Sequence, residues 1–257
     1  MVGDTALVRG VPDSFAHALR ADPDEALDVD RARRQHTEYV ALLASAGYSI
    51  EEIAPDEAHP DCVFVEDTAV VLASTAVITR SGAPSRRGEV APVAAFLSPR
   101  LSTTAIAPPG TLDGGDVMVL GTTVYIGRTA RTNQAGIDQL SSTADELGFE
   151  LIMVAVHQGL HLKSVVLPLD EESVLVTPGT VDEEPLKGLR IRYEADSERH
   201  RCSSLPLRDG RLLVTEGAPA TMEMLAAAGH DLVAIDVSEL QMADGGLTCL
   251  SILFRPE

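Results

Sequence analysis

Three cysteines, Cys62, Cys202 and Cys249, lie far apart in a sequence of 257 residues and form no CxxC pair, which argues against a disulfide framework or a zinc knuckle. Each is therefore read alone. Cys249 ends the stretch Asp244-Gly245-Gly246-Leu247-Thr248-Cys249, so it opens an apolar run directly after a flexible glycine pair. A thiol becomes a useful nucleophile when an acid or base stands beside it. His161, in Gly159-Leu160-His161-Leu162-Lys163-Ser164, occupies a comparable junction ahead of another apolar run. Two further junctions carry carboxylates: Leu112-Asp113-Gly114-Gly115-Asp116 and Asp61-Cys62-Val63-Phe64-Val65-Glu66-Asp67. Other chemistries fail on the residues present. His157 and His161 have the spacing of a zinc helix, but HQGLH has Gln where the glutamate base belongs and a glycine in the helix interior, so no metal is expected. The two Gly-Gly loops are flanked by Asp, which repels phosphate, and no GxGxxG or Walker loop is present, so no nucleotide cofactor is expected.

Sequence-distant residues meet only if the elements that carry them converge, and a repeat supplies the means. Pairs of short apolar runs split by polar turns recur along the chain, at 63–67 with 69–79, 116–120 with 124–126, 164–169 with 173–177, and 202–207 with 211–215. The run at 248–254 has no return partner after it, and the one at 5–9 has none before it; pairing them makes a fifth unit and closes a ring. Helical spacing predicts helices over 28–46, over 132–147 with Thr132 as cap, from Pro92, and from Pro219. Further apolar runs at 48–53, 149–156 and 232–237 follow three of them. Each unit reads strand, strand, helix, strand. The expected architecture is one α/β domain over 1–257, a five-bladed α/β propeller of ββαβ units; a doubly wound sheet is the second choice. In such a ring the junctions before the hairpins converge on the axis, which brings Cys249, His161 and the acids together.

A net charge of −19 disfavours phosphate backbones and anionic lipid, so neither nucleic acid nor membrane is an expected partner. No run approaches the ~18 apolar residues of a spanning helix, and the first residues lack the pattern of a secretory signal, so the expected location is cytoplasmic.

FVED at 64–67, PSRRGE at 84–89, TLDGGDV at 111–117, RTNQ at 131–134, GLHLKS at 159–164 and DGGLTC at 244–249 together resemble the dimethylarginine dimethylaminohydrolase family, part of a guanidine-modifying superfamily of five-bladed (pentein-type) propellers. The motifs run in order over nearly the whole chain. The resemblance implies a cofactor-free hydrolase that takes asymmetric dimethylarginine and monomethylarginine to citrulline and a methylamine through a covalent cysteine intermediate, with a small-molecule partner and a monomeric or homodimeric state. It implies Cys249 as nucleophile, His161 as general acid and base, and Asp113, where some relatives have Glu, as the acid that orients the guanidinium. It further implies Asp61, Glu66 and Asp67 as contacts for the cationic end or amino group, and Arg86 and Arg131 on the α-carboxylate. Leu19 and Ala243 would meet the amino-acid end through backbone, with Asp244 beside them and the acidic stretch 21–28 in the place of a lid. The chemistry fits: a guanidinium is a poor electrophile, and carboxylates that hold it fixed beside a thiol lower the barrier to attack. An arginine deiminase would use the same thiol on unmethylated arginine but is a substantially longer chain, and a non-catalytic propeller would have no reason to gather Cys, His and Asp.

Overall fold

The computed structural model describes residues 3–22 and 25–256, so residues 23 and 24 of the lid-like stretch lie outside it. The repeat emerges as five three-stranded sheets. The chain enters at β1 (Thr5–Arg9), runs through α1 (Val29–Ser45) and returns as β2 (Ser49–Ile53) parallel to β1. A parallel return needs a crossover, and the helix provides it. The second unit is the hairpin β3 (Ala69–Leu72) and β4 (Thr75–Ile78), then α2 (Val90–Leu97) and β5 (Ser102–Ala105). The third is β6 (Val117–Leu120), β7 (Thr123–Arg128), α3 (Gln134–Glu146) and β8 (Glu150–Ala155). The fourth contains β9 (Val166–Pro168), β10 (Ser173–Val176) and β11 (Arg190–Tyr193), and the fifth β12 (Ser204–Pro206), β13 (Leu212–Thr215), α4 (Pro219–Ala227) and β14 (Leu232–Ile235). After the short helix α5 (Ser238–Met242) comes β15 (Ile252–Phe254), which pairs antiparallel with β1, Thr5 opposite Phe254 and Leu7 opposite Ile252. The first and last strands therefore share a sheet, as the ring requires.

Three details depart from the sequence reading. The run 63–67 is not a strand: Val65–Thr68 is a 3₁₀ turn, and the first hairpin lies wholly within 69–79, reversing at Ala73, whose φ is 51°. No Gly, Pro, Asn or Asp marks that reversal, which is why it reads as one long strand. The fourth unit has no α-helix, only a 3₁₀ turn at Glu184–Leu186; Pro178, Gly179 and Pro185 break up its crossover. Cys249 does not open the last strand but sits in a 3₁₀ turn, Thr248–Leu250, just ahead of it.

The apolar interior divides into five clusters rather than one. Beneath α3, for example, Ile137, Leu140 and Ala144 pack with Val124 and Ile126 of β7. Asn133, not Thr132, caps this helix: its side chain accepts from the Gly136 N–H at 2.9 Å and from the Thr111 N–H at 3.0 Å. Thr132 instead takes the Asp113 N–H on its hydroxyl, 3.2 Å away, and so belongs to the site. Asn133→Ala is expected to cost about 1 kcal/mol, a fall of roughly 2–4 °C in melting temperature, measurable by thermal denaturation with turnover little changed.

The innermost strands are β3, β6, β9, β12 and β15. Val70, Met118, Pro168, Leu205 and Leu253, one from each, line a narrow axial cavity of about 200 Å³. Three turns that lead into inner strands, Val65–Thr68, Gly114–Asp116 and Leu162–Ser164, pack side by side around the axis with the Cys249 turn. The functional candidates ride on these turns.

Candidate active site

Above the turns lies a larger cavity of about 730 Å³, lined by Cys249, His161, Asp61, Asp67, Arg86 and Arg131, with Leu19, Ala243 and Asp244 at its wall. Cys249 is partly accessible, and its sulfur accepts the Gly246 N–H at 3.3 Å. Burial, and after it the charges of Glu66 and Asp67, push its thiol up to about 12. Cys62 and Cys202 are buried, with thiols raised to about 11 and about 12, also by burial. Cys202 nevertheless reaches the cavity wall.

His161 is buried, and its Nε2–H donates to Asp113 Oδ2 at 3.2 Å, with Asp67 Oδ1 4.0 Å away. Burial pulls the imidazole down. The charge of Asp67, the Asp113 hydrogen bond and the charges of Asp116 and Asp113 outweigh it and carry the group up to about 9. Asp67 itself titrates below the ordinary carboxylate range: burial opposes ionisation, but His161, the Arg86 guanidinium and the Gly115 N–H at 2.8 Å more than compensate. The paired glycines of the DGGD motif have a steric reason. A Cβ on Gly115 would fall 2.5 Å from His161 Nδ1, and one on Gly114 would fall 2.0 Å from the Glu66 carbonyl oxygen. The turn lets imidazole and carboxylate approach because nothing larger than hydrogen intervenes.

Not every expected contact reaches the cavity. Asp113 is fully buried behind His161, with Oδ1 accepting the Gly82 N–H at 2.9 Å and Oδ2 shared between His161 and Arg131 Nη1 at 3.4 Å. Asp is one methylene shorter than Glu, and here its Oδ2 lies against the imidazole and the side chain does not line the cavity. Glu66 is turned away: Oε1 accepts from Lys163 Nζ at 2.5 Å and Oε2 from the Thr248 hydroxyl at 2.9 Å, and it lines the axial cavity instead. Arg86 lies in the cavity wall, but its fork is mostly committed inward. Nε and Nη2 donate to Glu89, Nη1 to Asp67 at 2.5 Å, and Nη2 also to the Asp61 and Phe64 carbonyls. Arg131 is freer, with Asp113 as its one side-chain partner among the described residues.

At the mouth, the Leu19 N–H donates to Asp61 Oδ1 at 3.0 Å and the Ala21 N–H to Asp244 Oδ2 at 2.8 Å, so two acids fasten the segment that covers the cavity. Ala243 is buried just before Asp244, whose φ of 59° turns the chain into the glycine pair. Sequence reasoning missed Asp116, whose Oδ1 accepts the Leu162 N–H at 2.9 Å and so fixes the turn that carries His161. Its position immediately after the Gly-Gly pair, at the entry to the third unit's hairpin, was the available signal.

Asp67, Asp113 and His161 could offer three ligand atoms within 4.8 Å of one another. Arg86 and Arg131 already supply positive charge to these two carboxylates, so the set is balanced for an organic cation and an imidazolium rather than for a metal ion. The site also sets a pH dependence of stability. A histidine raised from 6.5 to about 9 stabilises the fold fully below about pH 6.5 and loses that contribution as pH rises through 9. The melting temperature is expected to fall across that window, and His161→Gln to flatten the fall, as thermal scans from pH 6 to 10 would show.

With this geometry in view, comparison with known proteins is specific. The family model for N,N dimethylarginine dimethylhydrolase, eukaryotic, matches residues 11–199. An N(G),N(G)-dimethylarginine dimethylaminohydrolase of Streptomyces coelicolor is 38% identical over 99% of this chain and 98% of its own length, and that of Pseudomonas aeruginosa is 31% identical over 96% of each. A solved structure of the Pseudomonas aeruginosa enzyme, a cysteine-to-serine variant complexed with citrulline, superposes with a TM-score of 0.94 at 29% identity, covering 99% of this chain and 100% of that one. A family model over most of the chain, a relative 38% identical over essentially the full length, and a superposition with a TM-score of 0.94 agree: the chain belongs to the dimethylarginine dimethylaminohydrolase family.

Proposed function

We propose that this chain hydrolyses N-omega-methylated L-arginines, asymmetric dimethylarginine and monomethylarginine, to citrulline and dimethylamine or methylamine. The observation that carries the reading is the gathering of Cys249, His161 and Asp67 at one cavity, with Asp113 buried behind the imidazole. The relatives' names and the citrulline complex of the Pseudomonas aeruginosa enzyme support it.

At neutral pH the resting site holds a thiol and an imidazolium, since the one titrates near 12 and the other near 9. Entry of a cationic guanidinium offsets the acids beside Cys249 and lowers the cost of forming the thiolate. The Cys249 thiol gives its proton to solvent, and Asp67 holds the guanidinium while the thiolate adds to its central carbon. His161 then gives its proton to the departing methylamine as the C–N bond breaks, leaving a cationic amidino-thioether on Cys249. The neutral imidazole takes a proton from water and the hydroxide adds to the same carbon; as the C–S bond breaks, the adduct's hydroxyl proton passes to the departing sulfur, which restores the thiol, and citrulline leaves. Asp113 keeps Nε2 of His161 oriented through both proton transfers, and Asp116 keeps its turn in place. At the amino-acid end Asp61 and the backbone of Leu19 and Ala243 take the ammonium group, Asp244 holds the covering segment, and Arg131, assisted by Arg86, takes the α-carboxylate.

Residues 1–257 act as one catalytic domain, in the cytoplasm, as a monomer or homodimer. The net charge of −19 supports a partner that is a small cation rather than nucleic acid or membrane, and no helix among the described residues is long and apolar enough to cross a bilayer. The deciding assay measures citrulline release from asymmetric dimethylarginine, monomethylarginine and unmethylated arginine at equal concentrations. Preferential release from the methylated substrates is expected, and preference for arginine would overturn the substrate assignment.

A further inference from the structure

Lys163 occupies a place that the reaction above leaves unused. It is the one cation among the described residues that lines both the large cavity and the axial one. Its Nζ meets Glu66 Oε1 at 2.5 Å, and Glu66 Oε2 receives the Thr248 hydroxyl at 2.9 Å. Thr248 is the residue before Cys249 and begins the same 3₁₀ turn. The Lys163 and Glu66 side chains are only 10% and 13% exposed, so their charges meet in a poorly solvated setting where each acts strongly on its neighbours.

We propose that Lys163, acting through Glu66 and Thr248, is a positioning residue for Cys249 that forms the floor of the cavity and balances the buried acid beside the sulfur. The proposal rests on Cys249 being the nucleophile. Two acids, Glu66 and Asp67, stand on the turn packed against that of Cys249, and both oppose its ionisation. Asp67 is answered by Arg86 and His161, whereas Glu66 is answered by Lys163. Tyr39, whose hydroxyl bonds Ser251, faces the turn from α1, and Asp61 and Asp244 face the same cavity from its far wall. Of the cations among these described groups, Lys163 alone is joined to the nucleophile's turn by a continuous run of side-chain hydrogen bonds, through Glu66 to Thr248. The pair therefore does two things at once: it fixes the Thr248 end of the turn, and it keeps an uncompensated anion away from a sulfur that must become anionic.

The test separates charge from scaffolding because the two partners predict opposite signs. Alkylation of Cys249 by iodoacetamide is followed on its own peptide by mass spectrometry, in the full chain, between pH 7 and 10. Lys163→Met strips the cation and is expected to slow alkylation at fixed pH about tenfold, while Glu66→Gln strips the anion and is expected to speed it about tenfold. The double variant Lys163→Met with Glu66→Gln returns towards wild type, and it keeps the test alive if the single lysine variant fails to fold. A salt bridge of purely structural importance would move both single variants in the same direction, and that outcome, or no movement in either, overturns the proposal. Failure of the underlying assignment looks different: Cys249→Ser would still release citrulline, whatever the alkylation rates.

Discussion

Cys249→Ser is expected to lower citrulline release by at least about 10⁴-fold, the scale on which removal of a covalent nucleophile acts, while leaving the melting temperature near that of wild type. A serine hydroxyl fits the space of the thiol and can accept the Gly246 N–H, so the fold has little reason to respond. Its chemistry is another matter: an alcohol is far less acidic than a thiol, and the acids around it hinder its ionisation further. His161→Ala is expected to be equally damaging, since the proposed mechanism passes both proton transfers through this imidazole. Cys62→Ser and Cys202→Ser are the controls. Cys62 lies outside the cavity, and Cys202 has its sulfur turned to the Ser203 carbonyl, so both variants should keep most of the activity. Turnover retained in Cys249→Ser would move the nucleophile elsewhere.

The two arginines at the cavity are expected to part company. Arg131→Ala removes a fork that touches Asp113 through Nη1 alone and keeps its other donors for the substrate carboxylate, at a cost of about 2–5 kcal/mol or roughly 30-fold and upward in half-saturating concentration. The fold should survive it. The same variant should discriminate less between methylated arginine and its decarboxylated analogue, which never used the contact. Arg86→Ala does something else, because it leaves Asp67 and Glu89 buried without their common partner. Breaking such a pair typically costs about 3–5 kcal/mol, so thermal denaturation should show a large drop in stability before kinetics can be read. Arg86→Lys should rescue little, since a point charge cannot span Asp67, Glu89 and two carbonyls as the planar fork does. A stable Arg86→Ala protein with only a weakened substrate affinity would restore Arg86 as a carboxylate contact of equal rank.

What the sequence made legible was whatever the repeat imposes. The convergence of Cys249 and His161, and the pairing of β15 with β1, follow from equivalent positions in a ring, and both appear in the structure. The orientation of individual side chains was not legible in this way. Glu66 and Asp67 are adjacent in a turn, and which one faces the cavity depends on the 3₁₀ geometry and on Lys163, which lies far along the chain. Arg86 and Glu89 stand three residues apart in a motif that reads as a substrate contact, yet their closeness lets them satisfy each other. Asp113 carries the expected residue type at the expected place, and the missing methylene decides what it can touch.

The closure of the ring also orders events in time. β1 is the middle strand of its sheet, between β2 and β15; β15 is made only after the strands of the other four sheets, and the turn holding Cys249 immediately precedes it. During synthesis the first sheet must wait with an exposed edge, and contacts between such distant segments form slowly. The sulfur proposed as nucleophile is thus translated after His161, Asp67 and Arg131 and acquires its surroundings only when β15 docks. Until β15 docks against β1, His161, Asp67 and Arg131 lack the turn that carries Cys249, so the proposed site is completed by one strand-pairing event.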